Sequence, residues 1–292
     1  MTASEAELNG GRSTTEHPVP AHIADYQVQR ALGYGNSGRV YLARPPRRLG
    51  LAEEFVAVKL FNGPCADSAY ERGVEELRAV SALDSPYLAK VYEAGLAGDS
   101  FFYAMHYVVL GSLSAPGRPL SQTEVLLAVS HAASAAHALH EAGIAHAAIK
   151  PSNVLIGARS AALSDLGLGR SLRPGLTMTG VATSGTVEYV DPSVLRGDSP
   201  SRSSEVWALG ATLHWAVAGV GLYGELSDSE PLVAIRGVMS ANPTLARNLP
   251  QDITAIVQAC LDSPDRRIPT AGELALRITD LAQVREGIVS GG

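Results

Sequence analysis

Between Asp25 and Tyr107 apolar residues gather in short runs, at 39–43, 55–61 and 101–105, set off by Gly, Pro and Asp, and the pattern predicts strands. One helix interrupts them over residues 67–83, where Val74, Leu77, Val80 and Ala82 alternate with Glu75, Glu76 and Arg78. From Ser121 onward the periodicity turns helical. In residues 251–261 the apolar positions Ile253, Ile256, Val257, Cys260 and Leu261 form one stripe at i, i+3, i+4, i+7 and i+8, and the alanine run 132–138 also reads as helix. No internal repeat is visible. The chain therefore reads as α+β, a small sheet-rich part followed by a larger helical one.

Residues 206–224 carry no charge and are long enough to cross a bilayer. His214 and four glycines argue against a span, and an uncharged stretch of this length is also what a buried central helix looks like, so no membrane span is expected. The 292 residues are 46% hydrophobic and 18% charged, enough to bury a large core, and the net charge of -6 provides no basic field for nucleic acid or an anionic membrane. Residues 1–24 are rich in Ser, Thr, Glu, Gly and Pro and hold no apolar core of a signal peptide, which predicts a disordered tail. Cys65 and Cys260 have no partner at metal or redox spacing, as in a reducing, cytoplasmic setting. His137 and His140 share a helical face, but no third ligand accompanies them, and they are expected to be partly exposed. Twenty of the 23 basic residues are arginine, so Lys59, Lys90 and Lys150 stand out.

Gly33, Gly35 and Gly38 have the Gly-x-Gly-x-x-Gly spacing that lets backbone N–H groups approach phosphate. A dinucleotide fold needs a helix directly afterwards; here a strand follows, with Val40, Tyr41 and Leu42. Lys59 lies on the next apolar strand, where an unpaired ammonium is costly, so it needs an anion and a carboxylate, and Glu76 on the following helix can supply the second.

At these residues the chain resembles bacterial Ser/Thr protein kinases. The glycine run through Val40, Val56-Ala-Val-Lys59, Glu76, the His146 to Asn153 segment, Asp165-Leu-Gly167, Gly185 to Tyr189 and Arg267 follow the family's order. The resemblance implies a bilobal kinase-like fold with an N-lobe over 25–104, a hinge at 105–111, a C-lobe over 112–285 and a tail from 286 to 292. It implies that ATP lies against Leu32, Gly33, Gly35, Gly38, Val40, Ala57, Met105 as gatekeeper, His106 to Val108 and Leu155. Lys59 and Glu76 would pair beside the phosphates, and Asn153 and Asp165 would hold Mg²⁺.

The pattern breaks at the catalytic loop. Ala147 replaces the arginine that reads an activation-loop phosphate, and Ala148 replaces the aspartate that accepts the substrate's proton; Lys150 is retained. Asp191-Pro192-Ser193 stands where the family has Ala-Pro-Glu, so Arg267 is expected to lack its glutamate, and Glu205 stands for an aspartate on the central helix. Residues 111–120 are too rich in Pro and Gly for the helix usual there. The expectation is a pseudokinase that binds ATP and acts as scaffold or allosteric regulator, with no catalytic residue of its own. A weakly active kinase with a non-standard base is the alternative, and a small-molecule phosphotransferase is disfavoured because it too would want an aspartate at 148. The expected partners are proteins: an active Ser/Thr kinase that phosphorylates Thr177, Thr179 or Thr183, and a phosphothreonine-reading domain.

Overall fold

The early alternation resolves into a six-stranded antiparallel sheet. In the computed structural model, which describes residues 18–35, 38–166, 168, 184–227 and 230–290, its strands are β1 (His22–Ile23), β2 (Tyr26–Gly35), β3 (Gly38–Arg44), β4 (Val56–Phe61), β5 (Val91–Ala97) and β6 (Ser100–His106), in the order β1-β2-β3-β4-β6-β5. Side chains on β4 and β6 divide by parity, as strand geometry requires. Val56, Val58, Phe102 and Ala104 pack with Tyr26 and Tyr41 on one face, whereas Ala57, Phe61, Phe101, Tyr103 and Met105 pack with Leu77 on the other. Leu77 belongs to α1 (Asp67–Ser81), which ends two residues before the predicted boundary.

A short hairpin, β7 (Gly111–Ser112) and β8 (Ala115–Pro116), follows the sheet where no helix was expected. It joins β9 (Val154–Ile156) and β10 (Ala161–Leu163) in a second sheet ordered β10-β9-β7-β8. The helical part comprises α2 (Gln122–Glu141), α3 (Ser184–Val187), α4 (Pro192–Leu195), α5 (Arg202–Ala218), α6 (Pro231–Ser240), α7 (Gln251–Leu261) and α8 (Ala271–Ser290). A capping box between Ser121 and Glu124 starts α2, and its alanines let α8, α5 and β10 pack closely around it. Helix α5 is buried continuously from Ser204 to His214, the central helix read from its lack of charge. Gly210 is required on it, because an added Cβ would lie 2.4 Å from the Cys260 Cβ on α7. Among the described residues no helix is long and apolar enough to cross a membrane.

Two predicted boundaries shift. The sheet already begins at His22, with Ile23 buried, because a two-residue turn through Ala24 and Asp25 lets that apolar side chain reach the core. At the other end α8 continues to Ser290, through most of the stretch read as a tail.

Candidate nucleotide-binding cleft

Strand register assembles the upper side of the site. Lys59 on β4 is paired with Val40 on β3 and Tyr103 on β6, so ammonium and phenol are cross-strand neighbours on one face. Both converge on Asp165, just beyond β10, whose backbone takes a left-handed φ of 61°. Lys59 Nζ lies 2.8 Å from Asp165 Oδ2, and the Tyr103 hydroxyl donates to Oδ1 at 2.5 Å. Burial pushes the Asp165 carboxyl up, but the Lys59 charge and hydrogen bond, the Tyr103 hydroxyl and Lys150 outweigh it and hold its pKa below the usual carboxylate range. The carboxylate seen against Lys59 is Asp165, while Glu76, which the resemblance placed beside the lysine, is half-buried on α1.

These groups face a cleft of about 670 Å³ between the sheet and the helical part. Leu32, Gly33, Gly38, Val40 and Ala57 form its roof, Met105, His106 and Val108 its back, and Leu155, Asn153 and Asp165 its floor. Ten of the residues expected to contact the nucleotide, Lys59 among them, therefore line one cleft. Gly38 has a structural duty as well: a Cβ there would stand 2.2 Å from the Leu60 carbonyl oxygen, so only glycine lets β3 approach β4 at that point. Arg30, not anticipated from sequence, also lines the cleft, its Nη2 donating at 3.4 Å to the hydroxyl of Tyr107 in the expected hinge stretch.

The catalytic loop keeps its frame. Ala147 holds a left-handed φ of 60°, uncommon for a residue with a Cβ, and its N–H donates to Glu205 Oε1. The other Glu205 oxygen accepts from His140 Nε2 at 2.7 Å, with both side chains buried; His140 is thus a core partner and not a partly exposed histidine. His146 Nε2 donates to the Ser164 carbonyl at 3.0 Å, and burial pushes its pKa down. Lys150 Nζ donates to Thr186 Oγ1 at 2.9 Å; burial lowers its pKa, partly offset by Asp165. Asn153 Nδ2 donates to the Ala148 carbonyl at 2.7 Å, which leaves its Oδ1 with only a 3.4 Å contact from the Ser152 hydroxyl. The chemistry of this donor set, an amide oxygen and a carboxylate on a cleft floor below an ammonium, fits a hard divalent cation and a polyphosphate. Asp165 is the only carboxylate among the described residues that line the cleft, and Ala147 and Ala148 present methyl groups to it.

Arg267 lacks the family's glutamate, as expected, but has another carboxylate: its Nη1 lies 2.6 Å from Asp191 Oδ2, with both side chains 5% exposed, and it also donates to the Ser203 carbonyl. Asp191 precedes α4, and its other oxygen caps that helix through the Ser193 N–H, so the acid has moved two positions along the chain while the bridge persists. Thr177, Thr179 and Thr183 lie outside the described residues.

The chain resembles known proteins over nearly its whole length. Serine/threonine-protein kinase PknB of Mycobacterium tuberculosis is 31% identical over 287 residues, covering 92% of this chain and 44% of that protein. Serine/threonine-protein kinase PknD of the same species is 29% identical over 280 residues, covering 92% and 41%. The chain thus spans less than half the length of these curated relatives. The crystal structure of the M. tuberculosis PknI kinase domain superposes with a TM-score of 0.65 at 22% identity, covering 89% of this chain and 96% of that one, which speaks to the fold. The protein kinase domain family matches residues 26–276, and the chain belongs to that family.

Proposed function

We propose that this chain is a pseudokinase: it binds ATP with Mg²⁺ in the cleft, transfers phosphate poorly or not at all, and serves as a scaffold or allosteric regulator in Ser/Thr phosphorylation signalling in the cytoplasm. The observation that carries the reading is Ala148, a methyl group at the position of the general base, beside an assembled Lys59–Asp165 pair whose aspartate is the only carboxylate among the described residues that line the cleft. The glycine turn and Lys59 would bind the phosphates, the apolar roof and Met105 would enclose the base, and Asn153 and Asp165 would hold the metal. When bound, Mg²⁺ supplies neutralisation of phosphate charge. The 146–153 loop carries no carboxylate to take the acceptor's proton. A general base contributes roughly 10² to 10⁴-fold and kinases turn over at about 1–100 per second, so a residual rate of ~10⁻⁴ to ~1 per second is expected.

Thermal shift with ATP and Mg²⁺, run beside radiolabelled phosphate transfer to a generic acceptor, tests this. Stabilisation by ATP without transfer at ordinary kinase rates is expected, and Lys59→Met should abolish the stabilisation. Transfer at ordinary rates, lost in Lys59→Met, would sink the pseudokinase reading and favour an active kinase with an unusual base. The retained frame, Lys150 on Thr186 and Asp191 on Arg267, is what favours that second reading. A partner kinase acting on Thr177, Thr179 or Thr183, and a phosphothreonine-reading domain that binds the product, belong to the same proposal; phosphopeptide mapping of residues 171–186 from cells tests them.

A further inference from the structure

Tyr103 is a polar side chain at a place where the sheet needs only an apolar one. It is 2% exposed and packs among Phe101, Phe61, Leu77 and Met105, yet its hydroxyl emerges from that cluster onto Asp165. A buried phenol needs a partner for its O–H. Here the partner is the carboxylate placed to hold a metal, and the second oxygen of that carboxylate is already engaged by Lys59. Both carboxylate oxygens are therefore occupied by protein donors. The phenol also has nowhere to withdraw. The cavity behind it, bounded by Leu77, Met105, His146 and Leu166, has a volume of about 20 Å³, room for about one water. The Phe61 ring flanks it at 6.1 Å between centroids, and the β4–β6 register fixes its backbone beside Lys59.

We infer that Tyr103 sets the metal dependence of this site: its hydroxyl competes with a divalent cation for Asp165, so that nucleotide binds with little help from Mg²⁺. The inference rests on the proposed nucleotide binding and narrows the part given there to Mg²⁺. A cation approaching Oδ1 must share that oxygen with the phenol or displace it. Displacement forfeits a hydrogen bond to a charged group and strands a buried hydroxyl. Without the cation, the same hydroxyl and Lys59 disperse the Asp165 charge that would otherwise repel a polyphosphate, so metal-free nucleotide is tolerated.

The test is ATP affinity by calorimetry, in Mg²⁺ and in EDTA, for the wild type, Tyr103→Phe and Tyr103→Leu, with unliganded melting curves to confirm folding. The wild type should bind with similar affinity in both conditions. In Tyr103→Phe the ratio of affinity in Mg²⁺ to that in EDTA should rise roughly tenfold or more, the worth of a charge-assisted hydrogen bond expressed as an equilibrium ratio. Tyr103→Leu, which also removes the ring, should show the same rise. An unchanged ratio in Tyr103→Phe would overturn the role of the hydroxyl, as would a rise in Tyr103→Leu alone, which would assign the effect to ring volume. Absence of ATP binding in all three proteins under both conditions would instead overturn the nucleotide reading on which this one stands.

Discussion

The roof of the cleft and the catalytic loop beneath it have been treated differently. Beneath the roof the charged groups are present and paired: Lys59 from the sheet, Asp165 from the floor and Tyr103 behind them form one contiguous polar cluster. In the loop Ala148 stands where the proposed reading wants a general base, but the buried bonds that would position one remain. Glu205 holds the Ala147 N–H, Asn153 holds the Ala148 carbonyl, and Lys150 reaches Thr186. Below them Arg267 and Asp191 anchor the start of α4. The contrast teaches that the loss at Ala148 is one side chain deep. A backbone relieved of a catalytic task would be free to relax from the left-handed φ at Ala147, yet it stays there, tied to a buried glutamate.

The sharpest way to break this comparison is to return the missing group. Ala148→Asp should raise phosphate transfer by about 10² to 10⁴-fold, the range of a positioned general base. Radiolabelled transfer, with Lys59→Met in the same background as control, measures it. A variant that still gains stability from ATP but transfers no faster would show that the defect extends beyond one side chain, and the claim of an intact frame would fail.

A smaller but still large effect is expected at the anchor. Asp191→Ala leaves the Arg267 guanidinium buried without its carboxylate, and removing one member of a buried pair costs about 3–5 kcal/mol. For a domain of this size that is a fall in melting temperature of roughly 6–20 °C. Replacing both residues with apolar ones, Asp191→Leu with Arg267→Met, should recover much of the loss, since no charge is then left uncompensated. Melting curves of the wild type and the two variants decide it; a loss of less than a few degrees in Asp191→Ala would show that the pair is not what holds the segment.

Much of the roof was legible in the sequence because strands carry their geometry in a period of two. Once Lys59 is placed on β4 and Met105 on β6, alternation alone puts Tyr103 on the face of Met105, and this is the signal that could have found it. The Lys59–Asp165 contact could not be read so, since it joins residues more than a hundred positions apart through a backbone turn that no local pattern encodes. Arg267 was only partly legible for a related reason. Matching a motif position by position predicts a missing glutamate, whereas the buried guanidinium needs only a carboxylate within reach, and Asp191 provides one from two residues away. His140 was misjudged because an alanine-rich helix buried on most sides lacks the polar face that would mark which histidine points inward. The central helix showed the converse: absence of charge over 206–224 was enough to place α5 at the core.

The smallest expected effect separates the two regions by acid. Burial lowers the pKa of His131, His146 and His214 from 6.5, and all three belong to the helical part. A histidine with a depressed folded pKa binds fewer protons folded than unfolded just below pH 6.5, so unfolding takes up protons and acid favours the unfolded chain. The stability these groups contribute is complete above pH 6.5 and is lost as pH falls through their folded values. Asp165, lowered chiefly by Lys59 against the opposing pull of burial, has the same sign but a lower window, opening only as pH approaches 3.8 from above. Between pH 7 and 5 the helical part should therefore weaken while Asp165 keeps its charge. His146 makes the case most directly: among the described residues its Nδ1 has no hydrogen-bond partner, so a second proton there would be a buried donor with no acceptor. His146→Gln keeps an N–H for the Ser164 carbonyl and cannot titrate. Melting temperature followed from pH 7 to 5 should fall in the wild type and fall less steeply in His146→Gln; identical slopes would mean that His146 takes no part in acid weakening of the loop frame.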